Sequence, residues 1–356
     1  MNRTTTLKSH YYYDEAIFAK EVECIFKEEW LWVARSEQLS KQGDFITTDV
    51  AQFPIVLVRG KDNILRAFHN ICRHRASKVE LRKSGNCKQL VCPYHGFCYI
   101  NGGLKTGKHK PLKKVKISLK KFCIKKIGEF IFFSINPCLE IEEQFDKKII
   151  KKIKNISENI SYAYDYNQKI YDCNYDIAIE NALEAVHVNA VHPNTLATLD
   201  LSKGTDIKIG SSSEWISEIK NKKIIRAFNS IAKIYGINSH IYYNNLFLFP
   251  FSMISSSGGI SYSIQNFFPK TFFKTNFISR LYPDKKYFKN ESLAKNFFDS
   301  TSKLNRKVFD EDAEICSQIS KNEMKKVSEF LVEGEERILW FRKAREKYLK
   351  ELSIFG

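Results

Sequence analysis

The pattern Cys72-Arg73-His74, then seventeen residues, then Cys92-Pro93-Tyr94-His95 constrains this chain more than any other feature. Two thiols and two imidazoles in two short loops make a metal-ligand set. Four-coordinate zinc can use the same side chains, but zinc fingers usually pair Cys with Cys and His with His along the sequence. Here each loop carries one of each. The surrounding segments 44–50, 54–60 and 63–71 are short β-rich runs with turn residues between them, and 89–100 and 129–136 continue the pattern. They predict a small antiparallel β domain that gathers both loops at one end.

With its flanks, Cys72-Arg73-His74-Arg75 and Cys92-Pro93-Tyr94-His95-Gly96-Phe97, the pattern resembles the Rieske [2Fe–2S] family. The resemblance implies that Cys72 and Cys92 bind one iron and His74 and His95 the other. Neutral imidazoles in place of thiolates raise the potential of such a cluster. Rieske loops of respiratory complexes carry an extra pair of cysteines joined in a disulfide; the matching positions here are Ser77 and Tyr94. That difference resembles the oxygenase and ferredoxin branch. A ferredoxin is far shorter than 356 residues, so the remainder of the chain decides the function.

A second constellation runs from Glu180 to Pro193, with His187 and His192 five residues apart. On an ideal helix that spacing separates them by about 140°. A helix carrying both must end between them, and Pro193 pushes its predecessor out of the α region. The expectation is His187 on the last turn of a helix and His192 in an extended exit. Alone, the pair reads better as surface or capped histidines than as metal ligands. Downstream of a Rieske motif, it resembles the mononuclear iron site of Rieske non-haem oxygenases, where two His and one carboxylate leave open positions for O₂. The resemblance places the carboxylate on a late helix, within Val308–Ile319, and points to Asp312, with Asp310 as the other candidate. Those acids would otherwise be a solvated first turn. Glu184, three residues before His187, stands where the family has an acid that links a Rieske His of one subunit to an iron-binding His of the next. Glu rather than Asp there resembles the carnitine- and betaine-type monooxygenases. Glu180 and Asn181 match the family's Glu-Asn pair, while Asn174-Tyr175-Asp176 is a divergent form of its upstream motif.

The segments 11–39 and 67–75 are similar to the family's N-terminal stretch and first cluster loop, whereas 99–110 departs from its usual aromatic, Gly-rich form. A charged amphipathic helix is expected near 141–156, β-rich runs over 244–283 and helices over 290–318 and 322–351. The Ser/Gly stretch 252–259 reads as a bend or turn. The fold class is therefore α+β: an N-terminal segment, 1–40, packing on the catalytic part; a Rieske domain, 41–137; and a catalytic domain, 138–356, with a helix-grip sheet implied by the resemblance.

A dinucleotide fingerprint and a ferredoxin-type cysteine run are both missing from the sequence. Electrons from NAD(P)H are thus expected through a separate reductase of the flavin or ferredoxin type. The activity implied is oxygen insertion from O₂ into a small organic substrate, by hydroxylation or oxidative demethylation. The alternatives are an aromatic ring-dihydroxylating dioxygenase α subunit and a Rieske electron-transfer protein without a second iron. The family's arrangement implies a homotrimer.

The net charge of +17 invites a nucleic-acid reading, but 44 Lys against 13 Arg, spread along the chain with no recognition motif, argues against it. A basic face could instead steer an acidic electron donor. Nine scattered cysteines, no signal-like start and no apolar run of roughly eighteen residues predict a reduced, cytoplasmic protein that does not enter a membrane.

Overall fold

The computed structural model describes Tyr12 and residues 14–50, 53–105, 116–237, 240–287, 291–319 and 330–352. Contacts divide the chain into two units. One comprises Glu23–Gln144 and Ile150–Glu158; the other comprises the residues up to Val22, Phe145–Ile149 and Asn159–Gly356. The first division falls inside the Glu15–Glu28 helix rather than near residue 40. The reason is that Leu31–Arg35 pairs antiparallel with Phe130–Ser134, which draws the chain on either side into the cluster unit.

The cluster unit is built on a seven-stranded antiparallel sheet in the order 31–35, 130–134, 121–127, 65–69, 53–59, 44–50, 84–86. A second sheet of three short strands, 90–91, 98–100 and 103–105, carries the second ligand loop. Phe45, Val56, Phe68, Val79, Leu90, Tyr99 and Leu119 form its core, and the thiols of Cys72 and Cys92 belong to that core. The two cysteines thus point inward from loops at the surface.

The other unit is a seven-stranded antiparallel sheet in the order 165–171, 274–283, 261–271, 252–257, 242–248, 212–218, 205–209. Six of the strands form a meander, each pairing with its sequence neighbour, and 165–171 adds to the edge at 274–283. Of the Ser/Gly stretch 252–259, expected as a bend or turn, Ser252–Ser257 is an interior strand of this sheet that continues the β-rich run from residue 244, and the turn falls on Gly258–Ile260. Ser252, Ser255 and Ser256 are buried yet partnered: Ser256 donates to the Ser261 carbonyl, Ser255 accepts from Asn245, and Ser252 accepts from Asn266. The Tyr175–Leu183 helix packs against both the Glu291–Ser317 and the Glu336–Leu352 helices, and all three pack on the sheet. The amphipathic stretch near 141–156 forms two helices, Ile141–Gln144 and Lys147–Asn159. Residues 322–329 of the expected last helix lie outside the described residues; the described helix begins at Glu336.

The Tyr175–Leu183 helix starts at Asn174, whose side chain accepts from the Asp176 amide, a cap of the kind that Asn provides well. Asn174-Tyr175-Asp176 is therefore a helix start, and it is fastened on both sides. Asp176 is fully buried and pairs with Arg345 at 3.0 Å, while Glu180, one turn on, pairs with Arg342 at 2.6 Å and accepts from Tyr12. A buried and a half-buried acid on one helix, paired with buried arginines on another, fix the rotation of the helix that leads to Glu184.

Candidate metal centres

In the cluster unit the two ligand loops share one backbone design. The Cys72 amide donates to the Ser77 carbonyl at 2.8 Å, and the Ala76 amide returns to the Cys72 carbonyl at 3.1 Å. In the second loop the Cys92 amide donates to Phe97 and the Gly96 amide to Cys92, each at 2.9 Å. The fourth residue after Cys is left-handed in both, Ala76 at φ 55° and Gly96 at φ 70°. That conformation costs a non-glycine residue on the order of 1–2 kcal/mol, which the paired loops must offset. The imidazoles lie together at the surface, with His74 and His95 ring centres 4.7 Å apart. Thiols inside and imidazoles outside, with both pairs adjacent, are what a two-iron cluster with one iron of each kind requires.

Tyr99 was not marked by the sequence. Its hydroxyl accepts from the Arg73 amide at 3.1 Å and lies 3.2 Å from Cys72 Sγ, to which it can donate. Burial opposes ionisation of Cys72, but hydrogen bonds from Tyr99 and from the His74 amide outweigh it and hold the thiol below its ordinary range. The only sequence hint was an aromatic residue in the strand leaving the second loop.

In the other unit His187, His192 and Asp312 converge, with a ligand atom from each lying within 4.8 Å of the others. The local path differs from the expected one. The helix ends at Leu183, and a separate short helix, Val188–Val191, is flanked by His187 and His192. His192, held before Pro193 at φ −116° and ψ 41°, leaves the helical region as that proline demands. The two rings come to 5.1 Å between centres. Asp312 Oδ1 lies 3.0 Å from His192 Nε2 and 3.7 Å from His187 Nε2. Asn181 donates to the same oxygen at 2.7 Å. Asp310, two residues away, points outward to Lys169, with its side chain 63% exposed.

The outward nitrogens are also held. His187 Nδ1 contacts Glu184 Oε1, and Glu184 Oε2 accepts from the Val186 and His187 amides, so this acid closes the turn between the two helices. His192 Nδ1 contacts Glu311 Oε2 at 2.7 Å. Glu311 was not singled out in the sequence, where it is one acid in a run of several. Burial disfavours a charge on His187, but Asp312 and Glu184 overcome it and raise its pKa to about 9. Burial likewise pushes the Asp312 carboxyl up, and the two histidines more than reverse that. A cation among the three would take over the role of the shared proton. Two imidazoles held at their outer nitrogens and a carboxylate held by Asn181 fit a ferrous ion with positions left open. The three side chains line a cavity of about 70 Å³, walled also by Leu196, Trp215, Met253 and Val308.

Comparison with known proteins agrees with both halves of the chain. Residues 29–117 match a Rieske [2Fe-2S] domain. Residues 154–351, more than half of the chain, match the ring hydroxylating alpha subunit (catalytic domain) family. The chain belongs to that family. Among its relatives, the glycine betaine monooxygenase oxygenase subunit of Chromohalobacter salexigens is 30% identical over 206 residues, 56% of this chain and 46% of that protein. The toluate 1,2-dioxygenase subunit alpha of Pseudomonas putida is 29% identical over 227 residues, 58% of this chain and 50% of that one. The match thus spans about half the length of these curated relatives. The fold of this ring-hydroxylating alpha subunit is similar to that of a quaternary ammonium Rieske monooxygenase crystallised with L-carnitine. The two superpose with a TM-score of 0.78 at 19% identity, over 96% of this chain and 95% of that one. Among the described residues, no helix is long and apolar enough to cross a membrane.

Proposed function

We propose that the chain is the terminal oxygenase component of a Rieske system. It inserts oxygen from O₂ into a small organic substrate, by hydroxylation or oxidative demethylation. Electrons reach it from NAD(P)H through a separate flavin or ferredoxin reductase. The observation that carries this reading is the convergence of His187, His192 and Asp312 on a cavity, in a chain that also holds a Rieske domain. When bound, the cluster supplies electrons singly and the mononuclear iron activates O₂.

The chain's own residues set the conditions. His187, His192 and Asp312 would hold the iron. Asn181 keeps the Asp312 oxygen in place, and Leu196, Met253 and Val308 limit water around the substrate. Cys72, His74, Cys92 and His95 hold the cluster. In this reading residues 41–137 accept electrons and 138–356 perform the chemistry. The two centres are coupled in a cytoplasmic homotrimer, in which Glu184 links His95 of one subunit to His187 of the next. The similarity to betaine and carnitine enzymes favours monooxygenation, and that to toluate dioxygenase favours the ring-dihydroxylating alternative.

The deciding measurement is iron against acid-labile sulfide in the purified chain, followed by substrate-dependent O₂ uptake with a reductase. A ratio of about 1.5 supports the oxygenase, because a two-iron, two-sulfide cluster is joined by one further iron. A ratio of about 1, with O₂ uptake unaffected by any substrate, leaves only an electron-transfer protein. Incorporation of one or two labelled atoms from O₂ separates the two oxygenase readings.

A further inference from the structure

Glu311 and Asp312 are consecutive on the Glu291–Ser317 helix, so their side chains leave it about 100° apart. Both nevertheless reach the same imidazole. Asp312 Oδ1 meets His192 Nε2 at 3.0 Å, and the longer Glu311 side chain reaches round to Nδ1 at 2.7 Å. The ring is gripped at its two nitrogens by neighbouring carboxylates. The Glu311 oxygen that meets Nδ1 also accepts from Thr195 Oγ1 at 2.6 Å, and Thr195 is fully buried. That one oxygen meets both the ring nitrogen and the Thr195 hydroxyl, so the carboxylate is held by two side chains at once. A surface acid on a helix would have no reason to be clamped from a second element. Glu311 is only 22% exposed, whereas Asp310, one position earlier, is largely in solvent.

We propose that Glu311 is a positioning residue for the iron site. Its carboxylate, clamped by Thr195, fixes the proton of His192 on Nδ1 and so presents Nε2 toward Asp312 as a metal ligand. A hydrogen bond donated from Nδ1 to this carboxylate also makes Nε2 a more basic metal ligand. His187 has the matching support from Glu184, so each imidazole has its own carboxylate. The inference rests on the reading of His187, His192 and Asp312 as iron ligands.

The test uses the full chain with its cluster intact. Glu311→Gln, Glu311→Leu and Thr195→Val are compared with the parent and with Asp312→Ala. Ferrous affinity is measured by chelator competition, the ferrous nitrosyl EPR signal is recorded, and the Rieske absorption serves as the folding control. Glu311→Leu is expected to weaken iron binding about tenfold to a hundredfold and to alter the nitrosyl signal, with the Rieske spectrum unchanged. Glu311→Gln and Thr195→Val should fall between it and the parent. If Glu311→Leu does not fold, those two milder variants carry the test. Parental affinity and an unaltered nitrosyl signal in the folded Glu311 and Thr195 variants, beside an iron-free Asp312→Ala protein, would overturn the role of Glu311 alone. Parental iron binding in Asp312→Ala would instead overturn the metal site on which the inference rests.

Discussion

Asn181 donates its side-chain amide to Asp312 Oδ1 at 2.7 Å, the same oxygen that faces both histidines. Two residues 131 positions apart are thereby locked together, the first on the helix that ends at Leu183 and the second on the long late helix. Asn181→Ala should leave the Asp312 carboxylate free to turn away. The expected loss is about tenfold to a hundredfold in iron affinity or activity, with the Rieske spectrum intact. Equilibrium dialysis with ferrous ion checks this, and undiminished binding would make Asn181 a bystander.

Tyr99 is expected to tune the cluster without holding it. Tyr99→Phe removes the hydroxyl 3.2 Å from Cys72 Sγ and leaves the four ligands untouched. The Rieske absorption should remain at full intensity, and the reduction potential should fall, because a thiolate that loses a donor holds more negative charge. Cys72→Ser, by contrast, should abolish the visible and EPR signatures. Protein-film voltammetry reads the first effect, and a potential equal to the parent's would sever Tyr99 from the cluster.

Asp312 and Asp310 should behave as opposites. Asp312→Ala, like His187→Ala or His192→Ala, is expected to lose mononuclear iron and product while keeping the Rieske spectrum. Asp310→Ala breaks only an exposed pair with Lys169, a kind of contact worth about 0–1 kcal/mol, and should retain iron and turnover. Iron analysis of the four variants distinguishes them; an iron-free Asp310→Ala protein would move the third ligand by two positions.

Glu184 carries the coupling between centres in the proposed trimer. Glu184→Gln keeps the side chain's size and one acceptor oxygen for the amides of Val186 and His187, and it removes the charge beside His187. Both metal sites should fill and the trimer should persist. Reoxidation of the pre-reduced cluster should slow when substrate and O₂ are added. Stopped-flow absorbance with a parallel sedimentation run decides, and an unchanged rate or a fully active monomer counts against the bridge.

Iron uptake should depend on pH with a definite sign. In the iron-free protein the pKa of His187 is raised to about 9. Its proton therefore stabilises the fold below the unfolded value of about 6.5, and that contribution is lost as pH rises through about 9. Iron needs the neutral imidazole and must displace this proton. Ferrous affinity should thus rise with pH between about 7 and 9, by roughly tenfold per unit for one proton released. At the same time the thermal midpoint of the iron-free protein should decline. Chelator competition at several pH values measures the slope; a flat profile would mean that His187 is not the group displaced.

Local chemistry made part of this protein legible in its residues. The two cluster loops could be read because each is a short segment whose ligands, turn and flanks lie within six residues. Pro193 announced the break at His192 for the same reason, since a proline acts on its immediate neighbour. The α+β class followed from runs of β-rich and helical pattern, which report how each segment meets core and solvent. The Ser252–Ser257 strand lies within the β-rich run expected from residue 244, yet its serines also suggest a bend, because that pattern takes polar residues as exposed. Ser252, Ser255 and Ser256 are buried and satisfied by other polar residues of the sheet, and Ser255 lines the cavity.

What the sequence alone could not decide was how distant segments face one another. Asp310, Glu311 and Asp312 are three consecutive acids, equivalent by type and spacing. The rotation of their helix turns Asp310 to solvent, gives Glu311 to His192 Nδ1 and brings Asp312 to both Nε2 atoms. That rotation is set by packing against the sheet and the Tyr175–Leu183 helix, more than a hundred residues away. Tyr99 and Asn181 gain their partners in the same way, across 27 and 131 positions. The sequence determined which chemical groups the chain has and where its backbone must turn. The tertiary structure decided which of them meet, because a hydrogen bond or a shared metal depends on a few ångströms that only the packed sheet and helices can fix.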